Sequence, residues 1–370
     1  MQRVRVLVIG GYGFFGSRLV QRLARQARLH VLVGGRSLPS AQAQVDAQQP
    51  QAQARLEAVA LDAMAPWFAQ ALAALNPSVV VHASGPFQGQ DYRVAQACIA
   101  QGAHYIDLAD GRAFVTGIGV LDAAARAAGV LVTSGASSVP ALSSAAADRM
   151  AEGLTEVHEI DIGISPGNRT ERGLSTVQGI LSYCGQPIPT GGGPPRIGWG
   201  RTYPHRYPAP VGRRLLSPCD VPDLALLPGR YPSLPSVRFG AGLELTFLHR
   251  GMNVMAWLAQ VGVVGNWARH ARLLKRAADL FRHWGSDAGA MHVRVSGRSQ
   301  DGVAVTHLWE LLATHGDGPF VPTLAAAALV RRLSGTATVP VGAMPCLGLL
   351  TLDDFSREAE GLNIITRMQA

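Results

Sequence analysis

The chain has 370 residues, 48% of them apolar and 16% charged. That balance excludes a disordered chain and leaves room for about two domains with large cores. The formal net charge is +8, carried almost wholly by arginine because Lys275 is the single lysine; its place between Leu274 and Arg276, on a basic helical pattern, argues against a Schiff-base or general-base lysine. Arginine-rich composition, phosphate or acidic-substrate binding, and attraction to an anionic membrane surface are the three readings of the charge. Cys98, Cys184, Cys219 and Cys346 lie far apart with no C-x-x-C pair. Neither a disulfide framework nor a metal site is therefore expected, and a reducing, cytoplasmic compartment is. The N-terminus enters a strand directly, so no signal peptide is expected.

The first element is an apolar run, Val4 to Ile9, that stops at Gly10. Gly11-Tyr12-Gly13-Phe14-Phe15-Gly16 follows, and Leu19, Val20 and Leu23 then mark one side of a helix. Strand, G-x-G-x-x-G and helix in this order point to a dinucleotide site. Gly11 permits the turn, Gly13 lets the backbone approach a pyrophosphate, Gly16 lets helix and strand pack, and the helix N-terminus faces the phosphates. A second strand, His30–Val33, ends in Gly34-Gly35-Arg36-Ser37. An acid at this strand end suits the ribose hydroxyls of NAD, whereas an arginine suits a 2′-phosphate, so Arg36 and Ser37 favour NADP(H).

A solvent-facing helix is expected over 41–54, and a third strand, Leu56–Leu61, ends at Asp62. A helix over 65–75 leads to the β-branched strand Val79–His82, which breaks at Gly85-Pro86-Phe87, at the sheet end where such folds place ligands. A helix over 94–103, a strand at His104–Asp107, a helix over 121–128 and a strand at Val130–Ser134 complete six strands. The expected fold is an α/β Rossmann, doubly wound parallel sheet over residues 1–140.

After Pro140 the rhythm changes. A helix over 141–150 precedes an alternating strand over 157–164, and a helix is expected over 174–184. Residues 187–235, dense in Pro, Gly and Arg and including Gly191-Gly192-Gly193, read as an irregular lid or arm. Strands are expected over 237–248, 291–295 and 303–313, and a helix over 322–333. These define a second, α+β domain over 141–325 with a mostly antiparallel sheet, and a C-terminal segment over 326–370. The apolar stretch 243–265 and the basic amphipathic pattern Trp267–Trp284 are interrupted by too many polar residues for a membrane span. Dimer contact or helix packing is the commoner use of such a pattern, and peripheral membrane contact through 243–284 the less favoured one.

Four blocks together resemble the saccharopine dehydrogenase-like oxidoreductases: Gly10–Gly16, Val79–Phe87 (VVVHASGPF), Ala97-Cys98 with Gly102–Leu108, and Gly135–Pro140 (GASSVP). Gly316–Thr323 is similar to a segment of members whose function is undefined. The resemblance implies an NAD(P)-binding Rossmann domain, a second domain that often makes a homodimer, and a C-terminal segment that returns to the first domain. It implies oxidation or reduction at an imine, amine or carbonyl of a small-molecule substrate, with no nucleic acid as partner. By the same resemblance Gly11, Tyr12, Gly13, Phe14, Phe15 and Gly16 hold the pyrophosphate, Arg36 and Ser37 the 2′-phosphate, and Asp62 and Ala63 the adenine side. Ala83, Ser84, Gly85, Pro86 and Phe87 line the ribose–nicotinamide side. His82 stands where members often have asparagine.

Proton-transfer candidates at strand ends are His82, Tyr105, Asp107 and Asp110. Helix capping competes for the two aspartates, core packing for His82 and Tyr105. Arg169 and Arg172 are candidates for a substrate carboxylate, against an ordinary solvated turn. A cofactor-binding protein without turnover, acting as a sensor or membrane-associated scaffold, is the alternative function.

Overall fold

The computed structural model describes residues 3–190, 194–335 and 338–369; the Gly191-Gly192-Gly193 run falls outside them. The chain divides into two compact units, Met1–Leu142 with Phe320–Glu358, and Ser143–Pro319 with Ala359–Ala370.

The first unit is built on strands β1 (Val4–Ile9), β2 (Leu29–Gly35), β3 (Arg55–Ala60), β4 (Val79–His82), β5 (His104–Asp107) and β6 (Leu131–Ser134). All are parallel, in the order β6-β5-β4-β1-β2-β3. β2, β4 and β6 are buried at every residue, which is why they read as unbroken apolar runs rather than alternating ones. A seventh strand, Gly342–Pro345, pairs in parallel with β6. Sequence periodicity missed it, since Gly-Ala-Met-Pro carries no β-branched residue. The strand order reverses at β1, so the carboxyl ends of β1 and β4 open a crevice between them.

The second unit holds a seven-stranded mixed sheet in the order Tyr203–Arg206, Arg213–Pro218, Ser236–Ala241, β7 (Leu154–Ser165), Gly289–Ser299, Ala304–Ala313 and Ile364–Gln369. Only the pairing of Ser236–Ala241 with β7 is parallel. This is the expected α+β class, with three local corrections. The 187–235 stretch is not one irregular arm: it supplies two strands of this sheet, the helix Asp223–Arg230, and a small Pro187–Ile188/Arg196–Ile197 ladder. The strand expected over 237–248 ends at Ala241, and a helix, Thr246–Gln260, begins instead. The basic pattern from Trp267 is a short turn of 3-10 helix followed by the helix Ala271–Asp279.

The two faces of this sheet differ in kind. Ile160, Ile162, Val293, Val295 and Trp309 share one face by register and are buried, and the helix Ser143–Ala151 packs against β7, Gly289–Ser299 and Ala304–Ala313. The opposite face carries Asp161, His292, Arg238 and Arg294. Gly163 makes room for the His292 ring, because a Cβ there would stand 2.8 Å from Nδ1. His205 stacks on His292 with centroids 3.7 Å apart, and the Tyr207 hydroxyl shares a hydrogen bond with His292 Nδ1 at 2.9 Å.

Asp161 is the charge centre of that face. Arg238 donates to both its oxygens, at 2.8 and 2.7 Å, and His292 Nε2 lies 3.6 Å away. Burial pushes the carboxyl up, but His292 and Arg238 outweigh it and hold it below the usual carboxylate range. Its contribution to stability is therefore complete above the unfolded value near pH 4 and is lost as pH falls through the lower folded value. Asp161→Asn is expected to cost roughly 2–4 kcal/mol at pH 7, less than a fully buried pair because Arg238 keeps contact with water. In urea titrations its gap to wild type should narrow below about pH 4.

Candidate functional site

β1 ends at Ile9, and the chain must turn into helix α1 (Phe14–Leu23) within four residues. Gly10 does so at φ +78°, with the Ala83 carbonyl carbon and the Ser84 amide nitrogen each 3.3 Å from where a Cβ would stand. A Cβ on Gly11 would stand 2.9 Å from Val33 Cγ1, and one on Gly16 would overlap the Gly10 carbonyl. The Gly13 amide donates to that carbonyl at 2.8 Å. Gly13 is also the N-cap of α1, which has no side-chain cap and no acid in its first turn. The helix therefore presents its first N–H groups and positive end to the crevice, a ready anion site.

Tyr12 joins this turn to the end of β2. Its ring lies against Gly35, where a Cβ would overlap it, and its hydroxyl accepts from the Ser37 amide at 2.9 Å. Arg36 is pinned between these contacts and its side chain is exposed. The Ser37 hydroxyl accepts from the Ser40 amide at 3.3 Å and caps the helix Leu38–Gln48, so it already has a local partner. Arg36, Ala60, Leu61, Asp62, Trp67 and Ala71 line a groove of about 290 Å³. Asp62 Oδ1 accepts from the Met64 amide at 3.0 Å, and Ala63 is buried. Trp67, 65% exposed, was not singled out in the sequence; no periodicity marks an aromatic that stands out of a loop.

On the other side of the crevice Gln90 Nε2 donates to the Ser84 and Pro86 carbonyls at 3.1 and 2.7 Å, closing the loop Ala83–Phe87. Phe87 itself is buried, 5.1 Å from the His82 ring and 5.4 Å from Phe114.

The structure brings His82, Tyr105 and Asp107 onto one side of adjacent strands and buries all three. Tyr105 belongs to the same core cluster as Val80, Phe68 and Cys98. Its hydroxyl is 3.3 Å from His82 Nδ1, and both residues are buried. Burial pushes the His82 imidazole down to about 4 and keeps the Tyr105 phenol protonated. Asp107, fully buried, uses Oδ1 to accept from the Ala109 amide, the Gly135 amide and the Ser134 hydroxyl, each at 2.9 Å. It ties β5 to β6. These three candidates form a core network, and of the four only Asp110 is exposed, accepting from Gln88 Nε2 at 3.2 Å. In the second unit Arg169 is exposed. Arg172 is half-buried, donating to Asn168 Oδ1 at 3.4 Å, and burial lowers its pKa against the pull of Asp279 and Glu244.

Parallel sheet, uncapped α1 and glycine turn define a dinucleotide-binding domain of the Rossmann class. Residues 6–151 match the family described as the saccharopine dehydrogenase NADP binding domain, and the first domain is of that saccharopine dehydrogenase-like type. The whole chain has the fold of apo saccharopine dehydrogenase (L-Glu forming) from Saccharomyces cerevisiae, with a TM-score of 0.69 at 14% identity, covering 99% of this chain and 100% of that one. It is also similar to homospermidine synthase from Legionella pneumophila in complex with NAD, with a TM-score of 0.61 at 9% identity, covering 100% of this chain and 91% of that one. No curated protein matches the chain by sequence.

Asp107→Ala is expected to cost roughly 1–3 kcal/mol because it orphans three buried donors, whereas Asp107→Asn keeps the acceptor and the fold. Burial pushes this carboxyl up to about 6 against the pull of its three donors. The folded state therefore takes up its proton before the unfolded one, near pH 4, and stability rises as pH falls between these values. Thermal melts over that range should show Asp107→Asn losing its share of the rise.

Proposed function

We propose that the protein is an NADP(H)-dependent oxidoreductase of the saccharopine dehydrogenase-like type, transferring a hydride to or from an imine, amine or carbonyl. The observation that carries this reading is the Arg36 guanidinium, exposed just past the end of β2 in a groove it shares with Asp62 and Trp67. A Cβ at Gly11 would run into Val33 and one at Gly16 into Gly10, so glycine at both positions keeps the start of α1 close over the end of β1 and supports this reading. Gly11, Gly13 and Gly16 would let the pyrophosphate approach the amides of Phe14 and Phe15. Arg36 would take the 2′-phosphate by paired N–H bonds, with Ser37 adding its hydroxyl when released from the cap. Trp67 would offer its face to the adenine above Asp62. Ala83, Ser84, Gly85, Pro86 and Phe87 would flank the ribose and nicotinamide.

When bound, the nicotinamide supplies the hydride chemistry. The chain must then exclude water, orient the cofactor and handle one proton. His82 is neutral at pH 7, with its imidazole held near 4 by burial, and it serves to fill the floor under Phe87. Asp110, three residues past β5 and held by Gln88, is assigned to hold or pass the proton, and desolvation raises its carboxyl against the pull of Gln88. Arg169 is the exposed cation assigned to a substrate carboxylate.

Fluorescence titration with NADPH and NADH tests the cofactor half. Arg36→Ala should weaken NADPH by about 10–100-fold, the value of hydrogen bonds to a charged group, and leave NADH unchanged. Trp67→Ala should weaken both by about tenfold, since stacking ignores the 2′-phosphate. Equal binding of both cofactors to wild type would contradict the role of Arg36. The catalytic half is tested by NADPH oxidation with oxo-acids plus amines and NADP⁺ reduction with amino acids and alcohols. Turnover is expected, with Asp110→Asn lowering kcat while NADPH affinity stays. Micromolar NADPH binding without turnover on any panel would identify a binding protein instead.

A further inference from the structure

Residues 246–284 leave the second unit's sheet and return to it as a closed excursion. Its base is fixed by Glu244. One carboxylate oxygen accepts from the Asn168 and Ser286 amides at 2.7 and 2.9 Å, the other from Arg214 at 3.1 Å and the Ser286 hydroxyl at 2.8 Å. Asn168 Nδ2 in turn donates to the Phe281 and Trp284 carbonyls at 2.7 and 3.1 Å. Trp267 Nε1 donates to the Met255 carbonyl at 2.8 Å and ties the middle of the excursion to its first helix.

What this scaffold holds outward is apolar. On the helix Thr246–Gln260, Phe247, Val254 and Trp257, with Val261 just beyond it, recur at intervals of seven, three and four, one helical face. All four are exposed, Trp257 by 58%. Val263 follows, 67% exposed. Phe247 also meets Phe281 and Trp284 at ring-centroid distances of 5.0 and 5.9 Å, so the ridge runs on into the exposed Trp284. On and around the helix Ala271–Asp279, Arg269, Leu273, Arg276 and Leu280 recur at four, three and four and are likewise exposed, Leu280 by 77%. Single exposed apolar residues need no explanation, but a ridge of them on consecutive turns marks an interaction surface.

Charge selects the occupant. The excursion carries Arg250, Arg269, Arg272, Lys275, Arg276 and Arg282 against a single acid, Asp279, which is paired with Lys275 at 2.7 Å. A second copy of the same surface would bring like charges together, whereas an anionic bilayer meets arginines, valines and interfacial tryptophans with complementary charge and a boundary suited to their rings. No helix among the described residues is long and apolar enough to cross a membrane, so contact is from one side.

We propose that the 246–284 excursion docks the protein on the surface of an anionic lipid bilayer. The full-length protein should co-sediment with phosphatidylcholine–phosphatidylglycerol vesicles at least about tenfold more tightly than with phosphatidylcholine vesicles, and less tightly as salt rises. Its tryptophan emission should shift to the blue. Each arginine removed in an Arg269→Gln, Arg272→Gln, Arg276→Gln series should weaken binding by about fivefold. Val254→Glu with Trp257→Glu should remove the blue shift while the melting temperature stays, because both side chains are exposed. Absence of binding to the anionic vesicles at low salt would overturn the proposal. So would a concentration-dependent dimer in sedimentation velocity that Val254→Glu dissociates and that competes with vesicles, which would assign the ridge to a second copy.

Discussion

The first unit depends on one close approach, that of Gly16 to the carbonyl oxygen of Gly10. No Cβ fits between them, and the contact lets α1 begin directly over the end of β1. Four consequences follow from that height. Gly13 becomes a cap without a side chain, and Ser84 comes to lie beside Gly10. Tyr12 reaches Gly35 and takes the Ser37 amide, and Arg36 is left pointing into the groove with Trp67. A side chain at residue 16 would lift the helix and disturb all four together, so the anion-binding end and the strand-end arginine are one device. This is how a sheet with no charged residue in β2 or β4 beyond its histidines can hold a highly charged ligand: the backbone supplies the donors.

The parallel sheet and its glycine turn were legible because burial on both faces leaves a dense apolar signature and the turn admits few residues. The seventh strand was not, because Gly342–Pro345 gains its strand geometry from pairing with β6 and not from its own residues. The 187–235 stretch misled for the converse reason. Proline, glycine and arginine usually mark loops, yet Arg213–Pro218 pairs on both sides within the sheet. Its neighbour Gly240 leaves a gap that the Tyr203 ring enters. Composition reports local preference, and here long-range pairing decided.

At the site, strand ends could be located but their faces could not. His82, Tyr105 and Asp107 stand at carboxyl ends, where ligands bind, and that position made them candidates. All three are buried, Tyr105 against the helices over 68–75 and 93–100, and only contact with residues distant in sequence reveals it. The desolvated environment then gives each a different task. The imidazole is stripped of its proton, the phenol keeps its own, and the carboxylate is spent on three donors that hold β5 to β6. Polar residues at the end of a buried strand thus secure the sheet, while Gln88 and Asp110 remain exposed and bonded to each other.

The charge of the chain can be read in the same local way. A net +8 invites a single explanation, but the basic residues serve separate ends. On the second sheet Arg238 and Arg294 answer the buried Asp161, and in the first unit Arg331 and Arg332 answer Asp354 and Glu358. Arg36 has no acid bonded to it among the described residues and faces the groove. Five arginines and the one lysine of 246–284 meet a single acid, so much of the excess resides in one excursion. A field concentrated there would draw an anionic surface toward the apolar ridge, and salt would weaken that pull because at physiological ionic strength such fields fade within about 8 Å.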